Sequence, residues 1–425
     1  MLLTFLFIYI IIFMKIRYVE VIMKYIDENM KIVEICNRYP ELIEIFEKYG
    51  IKNLYLEATI KILGNMTLKN ILISKKINVD TFVNMLNNYL NENRNDVDIT
   101  TKGSSEGEIT VTGLLPCPIR IPLLEKFNEF LKVNKELSVK YELKAASAGL
   151  EWLKKDVIEA NHPEKLADIF ISAGFDLFFE DKLMGKFKKE KIFKDITGIK
   201  TYNKDFENER IWLKDPDGDY SMLGVVPAVF LVNKAVLGNR EIPNTWADIL
   251  SGKFEKSVSL PISDFDLFNS ILININQRYG ENGVKALGKA LLKNLHPSQM
   301  VKSDKMKEDV PAITIMPYFF TKMIKEDGPM TAIWPEDGAI ISPIFMLTKK
   351  AKEDKIKKIV DFLSGKDVGE VLSHQGLFPS VNPEVDNKLE GKKFMWCGWD
   401  YIHNNNIGDV LTNCKNLFFE SAKEE

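Results

Sequence analysis

Residues 223–234 read Leu223-Gly224-Val225-Val226-Pro227-Ala228-Val229-Phe230-Leu231-Val232-Asn233-Lys234. Residues 224–233 are almost wholly apolar and rich in β-branched and aromatic side chains, which predicts a β-strand closed by Asn233. Outward from this run, strand patterns recur at 109–115, 138–144, 168–172, 258–261, 312–316 and 339–348. Helix-periodic stretches fall between them near 123–131, 150–159, 268–279, 283–293 and 351–363. Strands alternating with helices predict an α/β architecture with mainly parallel sheets.

The chain has 425 residues, more than one hydrophobic core usually holds, so two or three domains are expected. Hydrophobic residues make up 45% and charged residues 28%, the balance of a folded globular protein. A formal net charge of -3 gives no basic footprint for a polyanion, and no nucleic-acid partner is expected. The most basic run, residues 182–189, is flanked by Glu180, Asp181 and Glu190 and reads as a solvated face. Cys36, Cys117, Cys397 and Cys414 lie far apart without a CxxC pair, and the four histidines show no ligand spacing, so neither a disulfide framework nor a zinc site is expected.

Residues 1–14 read MLLTFLFIYIIIFM, short of the roughly 20 apolar residues that cross a bilayer. No positive charge precedes this run, no small-residue cleavage site follows it, and no cysteine stands just beyond to carry a lipid. Residues 1–22 therefore read either as a membrane tether that leaves the protein facing outside, or as untranslated sequence before a start at Met23. The incomplete export signal favours a cytoplasmic location.

From Met23 the pattern is helical. Ile32, Ile35, Cys36 and Tyr39 share one face, as do Leu42, Ile45, Phe46 and Tyr49; Pro40 opens the second helix and Gly50 closes it. A last amphipathic helix spans 79–90 with Asp80 as its cap. The stretch MKYIDENMKIVEICNRYPELIEIFEKYGI resembles the small bacterial domain of unknown function DUF1858, although the cysteines that often follow its glycine are replaced here by Lys52-Asn53-Leu54-Tyr55. Residues 23–94 are thus expected to form a small all-α domain with a docking or dimerising role. Residues 95–108 are polar and read as a linker, and 109–425 as the large module.

Open α/β sheets bind ligands beyond the carboxyl ends of their strands. Three turns of small residues fit that position: Leu115-Pro116-Cys117-Pro118, Ala146-Ser147-Ala148-Gly149 and Ser172-Ala173-Gly174-Phe175. Each reads equally as a tight strand-to-helix turn. GxSxG, Walker and GxGxxG fingerprints are absent from the sequence. Cys117 stands at a helix N-terminus, where a thiolate nucleophile is stabilised, but no histidine lies near it in sequence. The module reads as non-catalytic, with no cofactor.

A series of motifs, in order, resembles the type II periplasmic binding proteins that serve ABC importers, over residues 109–385. Residues 223–234 look like their crossover strand, and Pro243-Asn244-Thr245-Trp246-Ala247-Asp248-Ile249-Leu250 is similar to their Pro-x-Thr-Trp-x-Asp-Leu. Trp334-Pro335-Glu336-Asp337-Gly338-Ala339, the helix ending Phe362-Leu363-Ser364-Gly365, and Gly376-Leu377-Phe378-Pro379 follow. The resemblance implies a two-lobed periplasmic-binding-protein-like (type II) α/β module that closes on a small-molecule or ion ligand, with an ABC permease as partner. Within the family it points to the branch that binds ferric iron and related small solutes, whose Tyr-Tyr pair corresponds here to Met316-Pro317-Tyr318-Phe319-Phe320. With phenylalanine in the second place, an organic or oxyanion solute is as well supported as Fe3+. The expected ligand-binding residues are Tyr318, Ser172, Ser147, Cys117, Asp264, Tyr220 and Glu336, with Ser263 and Asp266 beside them. A cytoplasmic ligand sensor with the same fold is the alternative function.

Overall fold

The computed structural model describes residues 26–39, 42–51, 66–75, 77–79, 82–83, 85–87, 90, 101–102 and 107–423, apart from 146–150, 161, 263–264, 296, 307 and 325–326. The chain divides into two compact units, Met1–Val97 and Asp98–Glu425.

The first unit is helical, with α1 (Ile32–Arg38), α2 (Ile43–Lys48) and α3 (Leu68–Ser74). Ile32, Ile35, Cys36, Tyr39, Leu42 and Phe46 meet in one core, as their spacing predicts. Gly50 adopts φ 80°, the left-handed geometry of a helix C-terminus, and Ile51 N–H donates back to the Phe46 carbonyl. Asn87 is buried; its amide donates to Ile26 O and Val83 O and accepts from Ile26 N–H, tying the start of the unit to its last helical stretch. Pro40, Asp80 and the apolar run 1–14 lie outside the described residues. Among the described residues no helix is long and apolar enough to cross a membrane.

In the second unit, β1 (Thr101–Lys102) pairs antiparallel with β3 (Val139–Ala145), so the stretch read as linker supplies an edge strand. Polar side chains do not prevent this, because backbone groups alone complete a ladder. β2 (Ile109–Leu115) runs parallel to β3 and to β4 (Ile169–Ala173), and α4 (Cys117–Val133) and α5 (Glu151–Glu159) connect them in turn. After α6 (Phe175–Phe179) and a small hairpin of β5 (Glu207–Asn208) and β6 (Ile211–Trp212) comes β7 (Ser221–Asn233), buried along its whole length. The second lobe adds α7 (Trp246–Leu250), β8 (Val258–Leu260), α8 (Phe265–Ala290), β9 (Leu291–Asn294), β10 (Ile313–Pro317) and β11 (Met330–Ile333). β12 (Ala339–Thr348) returns to the first lobe, followed by α9 (Glu353–Leu363), β13 (Phe394–Met395), α10 (Trp399–Asn404) and α11 (Ile407–Lys423).

The strand order β1-β3-β2-β4-β12-β7-β10-β8-β9 is continuous, with β11 on β7 and β13 on β12. The expectation of mainly parallel sheets is corrected: β7 is antiparallel to β12, β10 and β11, and β12 is antiparallel to β4. Two long strands that cross between lobes in opposite directions impose this mixture. A second correction concerns 283–293, where the helix ends at Ala290 and residues 291–294 pair with β8 instead. Gly280, at φ 66° and ψ -169°, breaks α8 between the two predicted helical stretches.

The lobe crossing is marked in the register. Pro227 is the last β7 residue paired with β12, opposite Ile341, and Ala228 is the first paired with β10, opposite Pro317. The motif around Trp246 is a capping box: Thr245 Oγ1 accepts from Asp248 N–H at 3.1 Å and Asp248 accepts from Thr245 N–H at 2.9 Å. α11 spans both lobes. Ile407 and Leu411 join the core around Phe178 and Tyr220, whereas Phe418 meets Phe268 of α8 edge to face at 5.1 Å.

Candidate functional site

The carboxyl ends of β4 and β10 meet the two crossing strands from opposite lobes. Pro317 lies opposite Ala228, so Tyr318, the next residue, stands where the chain passes between lobes. Its ring packs against the side chains of both lobes and meets Trp334 edge to face at 5.0 Å. Burial pushes the Tyr318 hydroxyl above its ordinary value of 10, so it is a neutral phenol at neutral pH. Trp334 continues the aromatic wall to Phe394 at 5.4 Å and donates its indole N–H to the Lys393 carbonyl at 2.7 Å.

Phe319 turns away from Tyr318 and stacks on Phe378 at 6.2 Å, with Lys322 near its ring at 5.8 Å. Phe378 belongs to the Gly376-Leu377-Phe378-Pro379 turn. A β-carbon on Gly376 would overlap the Ile119 side chain, which brings this turn onto the first turns of α4. The same segment then runs along the crossing strand, with Val225 N–H donating to Pro379 O at 3.0 Å.

On the first lobe, Ser172 is buried opposite Phe345 of β12 and donates to the Ala173 carbonyl at 2.6 Å. Cys117 opens α4 next to Pro116, at the carboxyl end of β2. Ser147, Ser263 and Asp264 fall outside the described residues.

The structure puts Tyr220 elsewhere than in a crevice. It is 1% exposed, its hydroxyl donates to Phe178 O at 2.9 Å, and its ring packs among Phe179, Phe345 and Trp399. Glu336 is exposed, and its backbone N–H donates to Asn244 O. Its neighbour Asp337 has the structural contacts of that motif, accepting from Trp246 N–H at 3.1 Å and from the Tyr279 hydroxyl at 3.0 Å. Asp337 and the aromatic contact of Trp334 fall within the 334–339 motif, but neither carries a separable sequence signal.

Among the described residues, one trio of metal-ligating side chains comes together: Asp215, Asp217 and His403, with donor atoms within 4.8 Å. It lies apart from Tyr318, and a lysine already serves it. Lys188 Nζ is 3.4 Å from His403 Nε2 and 4.0 Å from Asp217 Oδ2. A cavity of about 1250 Å³ opens at the amino ends of β2 and β4, the opposite ends from Cys117 and Ser172, over a buried Lys349–Asp168 ion pair of 3.4 Å.

Comparison with known proteins places these features. The first unit matches the domain of unknown function DUF1858 over residues 26–83. No curated protein matches the chain significantly. Among solved structures, the ferric binding protein from Campylobacter jejuni is 15% identical with a TM-score of 0.51, covering 74% of this chain and 99% of its own. The apo ferric ion-binding protein A from Pasteurella haemolytica is 13% identical, TM-score 0.53, covering 75% and 100%. Iron-bound HitA from Pseudomonas aeruginosa is 10% identical, TM-score 0.50, covering 73% and 98%. At these identities the likeness is one of fold, the type II periplasmic binding fold. The family described as bacterial extracellular solute-binding protein matches residues 164–405, more than half of the chain, and the protein belongs to that family.

Proposed function

We propose that the second unit captures a small solute between its two lobes and hands it to an ABC permease, without catalysing a reaction on it. The observation that carries this reading is the crossing at Pro227 and Ala228, where Tyr318 and Trp334 face the junction of two lobes joined by β7 and β12. Such a junction lets two rigid bodies close on a ligand, and the closed form is a surface that a partner can recognise. Purified protein is to be melted against Fe3+, phosphonates, polyamines, sugars, carboxylates and carboxamides. A ligand at about 100 times its Kd adds roughly 2.7 kcal/mol, a rise of several degrees. A shift confined to one chemical class supports the reading, and no shift with any class overturns it.

A further inference from the structure

Three asparagines lie along α8 before Gly280. Asn274 donates to Ser270 O at 2.8 Å and Asn276 donates to the Tyr401 hydroxyl at 3.0 Å. Asn269 is different: it is 0% exposed, and neither its Oδ1 nor its Nδ2 has a hydrogen-bond partner. It is the one buried side-chain amide among the described residues with both ends unmade. A buried amide in that state is destabilising, and native structures keep one where water or a ligand completes it.

Its position selects between these. Ser270, the next residue, donates to Ile341 O at 2.5 Å, and Ser342 donates to the carbonyl of Asp266, one turn before. The first turns of α8 are thereby held against β12 at Ile341, the residue opposite Pro227 at the lobe crossing. Helical side chains lean toward the helix N-terminus, so the Asn269 amide covers the first turn of α8, just beyond the carboxyl end of β8. This is where an α/β sheet binds its ligand.

We infer that Asn269 is a specificity-determining residue of the solute site, and that the solute carries a neutral group with a hydrogen-bond donor and acceptor side by side: a carboxamide, a urea or an amino-substituted ring nitrogen. This rests on the solute-binding reading above. A side-chain amide offers one acceptor and one donor edge, which such a group satisfies together. A carboxylate or phosphate would set an acceptor against Oδ1, and an ammonium would leave Nδ2 unmade.

The test uses the full chain and two variants, Asn269→Leu, which keeps the branched skeleton with apolar ends, and Asn269→Ala, which only removes atoms. Melting is followed with three matched pairs: nicotinamide and nicotinate, glutamine and glutamate, citrulline and ornithine. The expected result is a rise of several degrees with at least one amide or urea member, binding at least tenfold weaker by its charged counterpart, and loss of the rise in both variants. The ligand-free Asn269→Leu protein is expected to melt no lower than the wild type, since no hydrogen bond is lost. The inference is overturned if charged members bind as well as neutral ones, if the variants keep the shift, or if no amide or urea binds. A metal or anion that binds wild type and variants equally would remove the role of Asn269 and leave solute binding standing.

Discussion

Gly224 and Pro379 touch across the lobe crossing: a β-carbon on the glycine would stand 2.8 Å from the proline carbonyl oxygen. The close approach lets the terminal Gly-x-x-Pro turn hydrogen bond to β7 at Val225, and Ser380 donates to Leu223 O at 3.3 Å. Gly224→Ala must push the two segments apart. It is expected to cost about 1–3 kcal/mol, read as a lower urea midpoint with an unchanged m-value.

Asp168 and Lys349 form a buried pair under the first lobe. Asp168 Oδ2 also accepts from the Thr110 N–H at 2.9 Å, and Lys349 donates to Leu166 O at 2.6 Å. Asp168→Asn leaves the ammonium without its counter-charge and is expected to destabilise by about 3 kcal/mol in urea unfolding. Burial is the main influence on Lys349 and holds its ammonium below the ordinary 10.5, against the pull of Asp168. Unfolding therefore takes up a proton between the lowered value and 10.5, and across that window this group makes stability rise with pH. The stability of the wild type relative to Lys349→Met is expected to increase as pH climbs toward 10.5; a flat or falling difference would contradict the assignment.

Burial pushes the Cys36 thiol up to about 12 and Cys414 up to about 11, and raises Cys397 further. Thiolate is the reactive form, so all three are expected to resist iodoacetamide at pH 8 until urea unfolds the chain. Mass mapping of labelled peptides reads the result site by site.

Iron binding through Tyr318 is testable by colour. A protonated phenol with phenylalanine at 319 offers one weak ligand to a hard cation, and no trio of His, Cys, Asp or Glu accompanies it among the described residues. Adding Fe3+ at pH 7 is expected to give no phenolate-to-iron absorbance in the wild type. Phe319→Tyr alone is not expected to create one, since that ring is stacked on Phe378 rather than beside Tyr318. A visible band lost in Tyr318→Phe would show that the residue does supply a phenolate.

Much of the fold was legible in the sequence because its signals are local. The strand at 339–348 matches β12 residue for residue, and the helical stretch at 351–363 holds α9. Strand direction was not legible, since a strand pattern marks the strand and not its neighbours, and only their partners show β7 to be antiparallel and β2 parallel. The site was read less well. Tyr318 lies at the crossing, but Tyr220, expected among the ligand-binding residues, spends its hydroxyl on Phe178 inside the core. Asn269 gave no signal, because the lack of a partner is a property of three-dimensional neighbours and not of spacing along a helix.

β7 uses its two faces differently on either side of Pro227. Phe230 and Val232 join the larger core and Val229 and Leu231 the methionine-rich one, while Leu223 and Val226 are separated from Met222 and Val225 in the other lobe. Both faces are apolar, so water does not penalise a shift; side-chain size alone tells one face from the other. The residue count of this strand therefore sets the phase between lobes. A single-codon insertion or deletion between Leu223 and Leu231 would exchange the faces of one lobe relative to its neighbour, whereas the same lesion in the exposed turn between β5 and β6 would be absorbed.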